Sequence, residues 1–233
     1  MSELTVVTER EQFVETATSA PSATRVPVEV RVSVADPFAA YRRVRGPSTD
    51  GVYLETTGGQ SGWGYFAVEP IERLQIDAES TPNGDGIDGV DSSEQPSPGE
   101  RSQTIDAIDS LLDTETLVRG DCDVPYPCGA FGWLSYDVAR ELESLPETTE
   151  SDGLPRLQLG VFDTVAAWEE PRDPETELRV TSCPTVGESP TAAYERGLEK
   201  ATSFAEAAAF GEQEPLESPP VEADHATFES ECG

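Results

Sequence analysis

Positive charge is what this sequence has least of. Its 233 residues include 46 Asp and Glu but only 15 Lys and Arg, which gives a formal net charge of −31. Lys200 is the one lysine. Nucleic acids and anionic membrane surfaces are bound through clustered basic side chains, and no segment supplies such a cluster. The composition therefore excludes both classes of partner.

Histidine and paired cysteines are nearly as scarce. The single histidine, His225, lies in the tail, so no Ser-His-Asp set, Cys-His set or histidine-based metal site can be assembled. The four cysteines, Cys122, Cys128, Cys183 and Cys232, lack the paired spacing of a zinc site. There is no Walker or Rossmann phosphate loop and no apolar run of about 20 residues. The residues alone reveal no active site, and in a cytosolic protein the thiols are expected to be reduced.

The acidic surplus indicates a salt-adapted surface rather than disorder, because Trp, Phe, Tyr, Val and Leu stand in strand-like and helix-like order between the acidic runs. Repulsion between carboxylates is screened within roughly 3 Å at ~1 M salt, against about 10 Å at ~0.1 M. The folded state is therefore expected to be more stable in concentrated salt. The first residues show no basic-then-apolar leader pattern. Together these features predict a cytoplasmic protein of a halophile.

Alternating apolar residues predict several strands. Residues 26–34 alternate almost perfectly, which is typical of a strand with one wet face. Further strands are predicted at 52–57, 64–68, 73–77, two within 156–169, and 178–183. A glycine-rich turn joins the first two of these, and the third is expected to continue their sheet.

Helices are predicted where an N-cap residue is followed by apolar residues at helical spacing. Thr8 and Glu11 have capping-box spacing, Asp36 precedes a first-turn proline, and Ser189 does the same for a helix that ends at Phe210. Apolar residues within 105–112 mark one more helix. Strands and helices together predict an α+β fold, with mainly antiparallel sheets and flanking helices.

Two stretches carry few apolar residues. Residues 78–102 consist almost entirely of Ser, Pro, Gly, Asp and Glu, which predicts a disordered acidic insertion. Residues 211–233 begin as an acidic, proline-bearing linker. The predicted folded domain is therefore 1–210, interrupted by the insertion.

Residues 53–70 contain the first of two unusual glycine and aromatic clusters. A strand ends in Glu55 and Thr56, a flexible turn with Ser61 follows, and Trp63 opens the returning strand. Such a cup suits a small amphoteric ligand, because the carboxylate can bind an ammonium while hydroxyls and backbone N–H groups bind a carboxylate. A plain hairpin with a glycine turn explains the same residues, so both interpretations stay open here.

Residues 125–146 form the second cluster, a tightly packed strand expected to turn into a helix near Asp137. Its run Gly-Ala-Phe-Gly-Trp-Leu-Ser-Tyr-Asp, followed by Arg140, Glu143 and Leu145-Pro146, resembles a signature of component I of the chorismate-aminating synthases, the aminodeoxychorismate and anthranilate synthases. The segment from Leu154 to Asp163 is similar to the next element of that family.

The first cluster is similar to the tryptophan pocket of the same family. The family has a Leu-Leu-Glu-Ser or Leu-Leu-His-Ser step at that place, and this sequence has Leu-Glu-Thr. The resemblance implies ligand contacts by Glu55, Thr56, Ser61 and Trp63. Two positions depart from the pattern: Thr56 stands where serine is usual, and Gly62 stands where arginine is usual.

The resemblance runs from about residue 26 to residue 228 and implies the amino-terminal portion of the component I fold. It also implies that residues 225–233 lead into an absent chorismate-binding half, which would hold magnesium, and that a glutamine amidotransferase, component II, supplies ammonia. The chain alone is then expected to be an inactive fragment. Because the family shares sheets between its halves, apolar strand surfaces are expected to be left uncovered here.

The resemblance leaves several functions open. The first is the amino-terminal domain of an enzyme that makes 4-amino-4-deoxychorismate, on the folate and p-aminobenzoate route, because the short loop after Glu55 and the acidic string before Pro146 favour that type. The alternatives are anthranilate synthase component I, of tryptophan biosynthesis, and a stand-alone tryptophan-sensing module. An acidic scaffold without a ligand is the remaining reading.

Overall fold

The computed structural model describes residues 4–46, 50–56, 59–77, 102–113, 116–143, 154–187 and 189–212. The predicted insertion, except Ser102, and the predicted linker and lead-in beyond residue 212 lie outside these residues. The described residues form nine strands: β1 (Thr5–Val6), β2 (Val28–Val34), β3 (Gly51–Leu54), β4 (Gly62–Val68), β5 (Glu72–Ile76), β6 (Gly129–Leu134), β7 (Leu157–Phe162), β8 (Thr164–Glu170) and β9 (Thr176–Ser182). They also form five α-helices: α1 (Arg10–Ser19), α2 (Pro37–Arg45), α3 (Gln103–Asp113), α4 (Ala139–Leu142) and α5 (Pro190–Phe210).

The strands form two antiparallel sheets. The larger has the order β1-β2-β9-β8-β4-β3, and the smaller has the order β5-β7-β6. This arrangement confirms the α+β prediction. The prediction that 73–77 continues the hairpin's sheet is wrong, because β5 pairs with β7 instead. Glu69 adopts a left-handed φ of 56°, and Pro70 offers no N–H for a ladder, so the chain leaves the larger sheet there.

Strand β2 is buried on one face, and on the other face Glu29 is buried while Arg31 and Ser33 stay partly exposed, so the predicted wet face is only partly present. Its valines at 28, 30, 32 and 34 face the helices. On the other face Glu29 is only 2% exposed, because Arg179 of β9 and the segment around Asp123 cover it. Residues 26–27 precede the strand rather than belonging to it.

The main core lies between the larger sheet and helices α2 and α5. Phe204 of α5 stacks on Phe66 of β4 with ring centroids 5.7 Å apart, and Trp168 of β8 is fully buried beside them. Gly197 lets α5 approach β2 closely, since a Cβ there would stand 2.9 Å from the Val28 side chain. Burial of these large side chains, at roughly 25 cal/mol per Å² of apolar surface, supplies the main driving force for the fold.

Two of the three predicted caps are present. The Asp36 carboxylate accepts a hydrogen bond of 3.0 Å from the Ala39 N–H at the start of α2. The Ser189 hydroxyl likewise caps α5. The predicted capping box of α1 is wrong: the N-cap residue is Glu9, and the Thr8 hydroxyl accepts instead from the Glu29 N–H at 2.9 Å. Thr8 therefore joins α1 to the sheet, because a strand N–H competes successfully for its hydroxyl.

Strand β6 leads into a short 3₁₀ turn and α4, as predicted for this cluster. The Glu141 carboxylate of α4 accepts hydrogen bonds from Ser102 and Thr104 and forms an ion pair of 3.2 Å with Arg156. This one side chain joins α3, α4 and the smaller sheet. At the end of β6, Trp133 and Leu134 are 39% and 47% exposed, which confirms the expectation of uncovered apolar strand surface.

Candidate functional site

The predicted ligand residues lie in the β3–β4 hairpin. Tyr53 pairs with Phe66 and Leu54 with Tyr65, so the same register places Thr56 opposite Trp63. The Thr56 hydroxyl donates a hydrogen bond of 3.3 Å to the Trp63 carbonyl. Strand β3 is an edge of the larger sheet, and β4 is an inner strand held by β8. The hairpin end is therefore open to solvent on one side and fixed on the other.

Glu55 lies just after β3 and has two polar partners. Its carboxylate is 3.4 Å from the Arg172 guanidinium and accepts a hydrogen bond of 3.3 Å from the Tyr53 hydroxyl. Arg172 also contacts the Asp36 carboxylate at 3.1 Å. Burial, and then the charge of Glu55, raise the pKa of Tyr53 well above its usual range, so the phenol stays a neutral donor. An ionised carboxylate has about four acceptor sites, so Glu55 can still accept from an ammonium.

Alternation along the hairpin separates the candidate side chains. Tyr53 packs against the main core on the helix side of the sheet. Trp63 lies on the opposite face, where it stacks on Tyr65 and on the Arg179 guanidinium, whose carbon is 5.6 Å from the ring centroid. Ser61 is exposed in the turn. The structure thus brings Thr56 to the Trp63 backbone but does not bring Glu55 to the Trp63 ring.

The two positions that depart from the family pattern lie in contact. A Cβ at Gly62 would stand 2.8 Å from the Thr56 hydroxyl and 3.3 Å from its methyl group. The extra methyl of threonine therefore occupies space that a side chain at position 62 would need. The two changes are compatible physically, since the glycine at position 62 leaves room for the threonine at position 56.

A buried charge cluster on the Trp63 face was not foreseen from the sequence. Arg179 is 6% exposed, and its Nε and Nη2 donate to the two Glu29 carboxylate oxygens at 2.8 and 3.0 Å. Asp123 also accepts from Arg179, and Arg31 reaches Glu29 at 2.8 Å. Burial opposes the charge of Arg179, but these hydrogen bonds outweigh it and raise its pKa; the bond from Arg179 also lowers the pKa of Asp123. The available sequence signal was weak: Arg179 stands between Leu178 and Val180 in β9.

An open cleft lies between α1 and the segment after α3, lined among others by Phe13, Glu29, Arg119 and Cys122. Its polar groups are already engaged: Arg119 donates to the Val124 carbonyl at 2.7 Å, and Glu29 is held by its two arginines. None of the predicted ligand residues lines it. The cleft therefore gives no support to the predicted site.

Within the described ranges, no group of three or more His, Cys, Asp or Glu side chains is arranged to hold a metal ion. Among the same residues, none of the helices is both long and apolar enough to cross a bilayer.

Comparison with known proteins gives two strong similarities. The chain is 60% identical over all 233 residues to a Haloarcula marismortui protein named anthranilate synthase component 1 3. It is 53% identical over 230 residues to a second protein of that organism, named anthranilate synthase component 1 1. Over its whole length the chain thus matches component I of the chorismate-aminating synthases. It spans 43% and 42% of the lengths of these two family members. No family model matches the sequence.

These similarities confirm the resemblance on which the hairpin was interpreted. Both family members carry the name of the alternative function, anthranilate synthase, and neither carries that of aminodeoxychorismate synthase. The preference for the folate route is therefore unsupported. The ligand contacts of Glu55, Thr56, Ser61 and Trp63 and the cytoplasmic location stay predictions.

Proposed function

We propose that this chain is the amino-terminal domain of an anthranilate synthase component I. The parent reaction converts chorismate to anthranilate with ammonia from a glutamine amidotransferase, component II. Magnesium and the groups that act on the ring belong to a chorismate-binding half beyond this chain. The identity of 60% over the whole chain to a protein named anthranilate synthase component 1 carries this proposal.

One feature of the structure supports a domain that works together with further protein. The end of β6 and the following residues expose Trp133, Leu134, Tyr136 and Leu142 to water, which is costly unless another surface covers them. A supporting domain that packs against further protein fits this exposed surface.

The proposed ligand of the hairpin is tryptophan, the end product of the route. Glu55 would bind its ammonium through a charge-assisted hydrogen bond, beside the guanidinium of Arg172 and the hydroxyl of Tyr53. The Arg172 guanidinium, 3.4 Å from Glu55, would bind the carboxylate of the same ligand. Thr56 and Ser61 would contribute hydroxyls from the turn. Trp63 would act only by holding the returning strand, because its ring faces the other side of the sheet.

A chimera tests the reaction. This chain replaces the matched segment of the Haloarcula marismortui protein named anthranilate synthase component 1 3, and the product is assayed with chorismate, ammonium and magnesium in molar KCl. The expected result is anthranilate, detected by its fluorescence and by chromatography, with no turnover by this chain alone. A folded chimera that makes 4-amino-4-deoxychorismate, or turnover by the isolated chain, contradicts the proposal.

The tryptophan pocket is tested in the same chimera. Glu55→Gln is expected to weaken tryptophan binding at least about tenfold, because it removes a charge-assisted hydrogen bond, while anthranilate formation continues. Glu72→Gln, at an exposed position of β5, is the matched control and should leave binding unchanged. Equal tryptophan affinity in the Glu55→Gln and control proteins, measured by calorimetry, refutes the assigned pocket without affecting the proposed reaction.

A further inference from the structure

Two cysteines meet at the junction of the two sheets. Cys183 follows the last residue of β9 in the larger sheet, and its N–H donates to the Asp163 carbonyl at 2.7 Å. Cys128 immediately precedes β6 of the smaller sheet. The Cys183 thiol lies 3.4 Å from the Pro127 carbonyl oxygen, whose peptide group leads directly into Cys128.

The backbone on both sides of this contact is fixed. The Pro127 carbonyl accepts a second hydrogen bond, of 2.6 Å, from the Thr181 hydroxyl of β9. The Cys183 carbonyl accepts from Arg25 at 3.1 Å. The Cys183 thiol already lies beside the peptide group of Cys128, and a disulfide needs the two sulfurs about 2 Å apart. We therefore expect rotation of the two side chains, within a backbone held by these hydrogen bonds, to bring the sulfurs together.

The two thiols differ in access. Cys183 is fully buried, and burial raises the pKa of its thiol well above the ordinary value, so it reacts poorly with reagents from solution. Cys128 is only partly buried. An oxidant would therefore meet Cys128 first, and Cys183 is placed to react with the product. Cys122, partly buried and in the same covering segment, is a natural control.

We propose that Cys128 and Cys183 form an oxidant-responsive disulfide that joins the two sheets. With hydrogen peroxide as oxidant, the Cys128 thiol and peroxide give a sulfenic acid and one water. The Cys183 thiol then attacks that sulfur, forms the S–S bond and releases a second water. Two thiols are oxidised by two electrons, and one peroxide is reduced.

The test uses the full chain in molar KCl, with and without peroxide, followed by alkylation and digestion without reductant. In the double variant Cys122→Ser/Cys232→Ser, we expect a peptide pair that links residues 128 and 183 and an intact mass lower by about 2 Da. Cys128→Ser, at the partly buried position, should abolish the link while the reduced protein keeps the wild-type circular dichroism. Because the closed loop spans about 55 residues, the oxidised double variant should melt roughly 10 °C higher than the reduced one.

Three results would overturn the proposal. The first is recovery of both thiols as alkylated cysteines after oxidation and denaturation. The second is a link from Cys128 to Cys122 in the wild-type chain in place of Cys183. The third is an oxidised form that melts at or below the temperature of the reduced form, since that would show that the bond distorts the native junction. Cys183→Ala provides a second variant, which should also abolish the link, in case Cys128→Ser prevents folding.

Discussion

Replacing Arg179 by methionine tests whether the charge cluster beneath Trp63 holds β2 and β9 together. The side chains of Arg179 and Glu29 are 7% and 3% exposed. Removal of one partner of such a buried pair costs about 3–5 kcal/mol, because the other charge stays buried without compensation. Glu29 keeps its contact with Arg31, which is 34% exposed, so Arg179→Met is expected at the lower end, about 3 kcal/mol.

The double variant distinguishes pairing from packing. Glu29→Met alone is expected to cost about 3 kcal/mol for the same reason, but Glu29→Met/Arg179→Met leaves no buried charge without a partner and should cost at least about 2 kcal/mol less than the sum. Urea unfolding followed by circular dichroism, at one fixed KCl concentration, gives these values. The loss for Arg179→Met corresponds to a midpoint lower by about 1–3 M urea.

An exposed ion pair of this protein is the matched control. Arg10 and Glu195 are 3.1 Å apart with side chains 56% and 63% exposed, so Glu195→Gln should change the free energy of unfolding by less than about 1 kcal/mol. If the two methionine substitutions proved additive, or if Arg179→Met cost no more than Glu195→Gln, the assigned role of the buried cluster would be refuted.

Three further substitutions have defined outcomes. Gly64→Ala should cost about 1–3 kcal/mol in thermal unfolding because the new Cβ would overlap the Trp168 indole, whereas Gly187→Ala, with no atom within 4 Å of the added Cβ, should be nearly neutral. Asp36→Ala removes the α2 cap and should cost about 1 kcal/mol, and rescue by Asp36→Ser but not by Asp36→Val would identify capping as the cause. Burial opposes the charge of Glu141, but its hydrogen bonds outweigh burial and lower its pKa, so its stabilisation is complete above the ordinary carboxyl pKa and lost as pH falls through the lowered value. The stability difference between wild type and Glu141→Gln should therefore shrink below about pH 4 in urea titrations, and a difference independent of pH would contradict it.

Local chemistry was sufficient to predict most elements of the fold. The Asp36 and Ser189 caps, each followed by proline, predicted where α2 and α5 begin, and alternation predicted β2 and the hairpin. The sheet to which each strand belongs was harder to predict than the strand itself. The strand at 72–76 was assigned to the wrong sheet because the left-handed turn at Glu69 is set by tertiary context, and a glutamate carries no sequence signal for it.

The sequence predicted which segment of the chain holds the candidate site, but not which side chains the fold brings together there. Glu55, Thr56, Ser61 and Trp63 do lie in one hairpin, but period-two alternation already implied that Glu55 and Trp63 need not share a face, and their side chains do not. Arg172 could not be found from sequence, because it reaches Glu55 across more than 100 residues of chain. With 46 Asp and Glu in the chain, the sequence alone does not single out any one carboxylate as a ligand. The partners of Glu55 are identified only from the three-dimensional structure.

The uncovered end of β6 gives salt two opposing roles for the isolated domain. Molar KCl weakens repulsion within each molecule and so favours the folded state. The same screening also weakens the repulsion between molecules that each carry a formal charge of −31. Association between molecules is then favoured at the edge strand β6, where Trp133 and Leu134 are exposed. Solubility and folding of this domain should therefore peak at different ionic strengths, and the useful working range lies between the two optima.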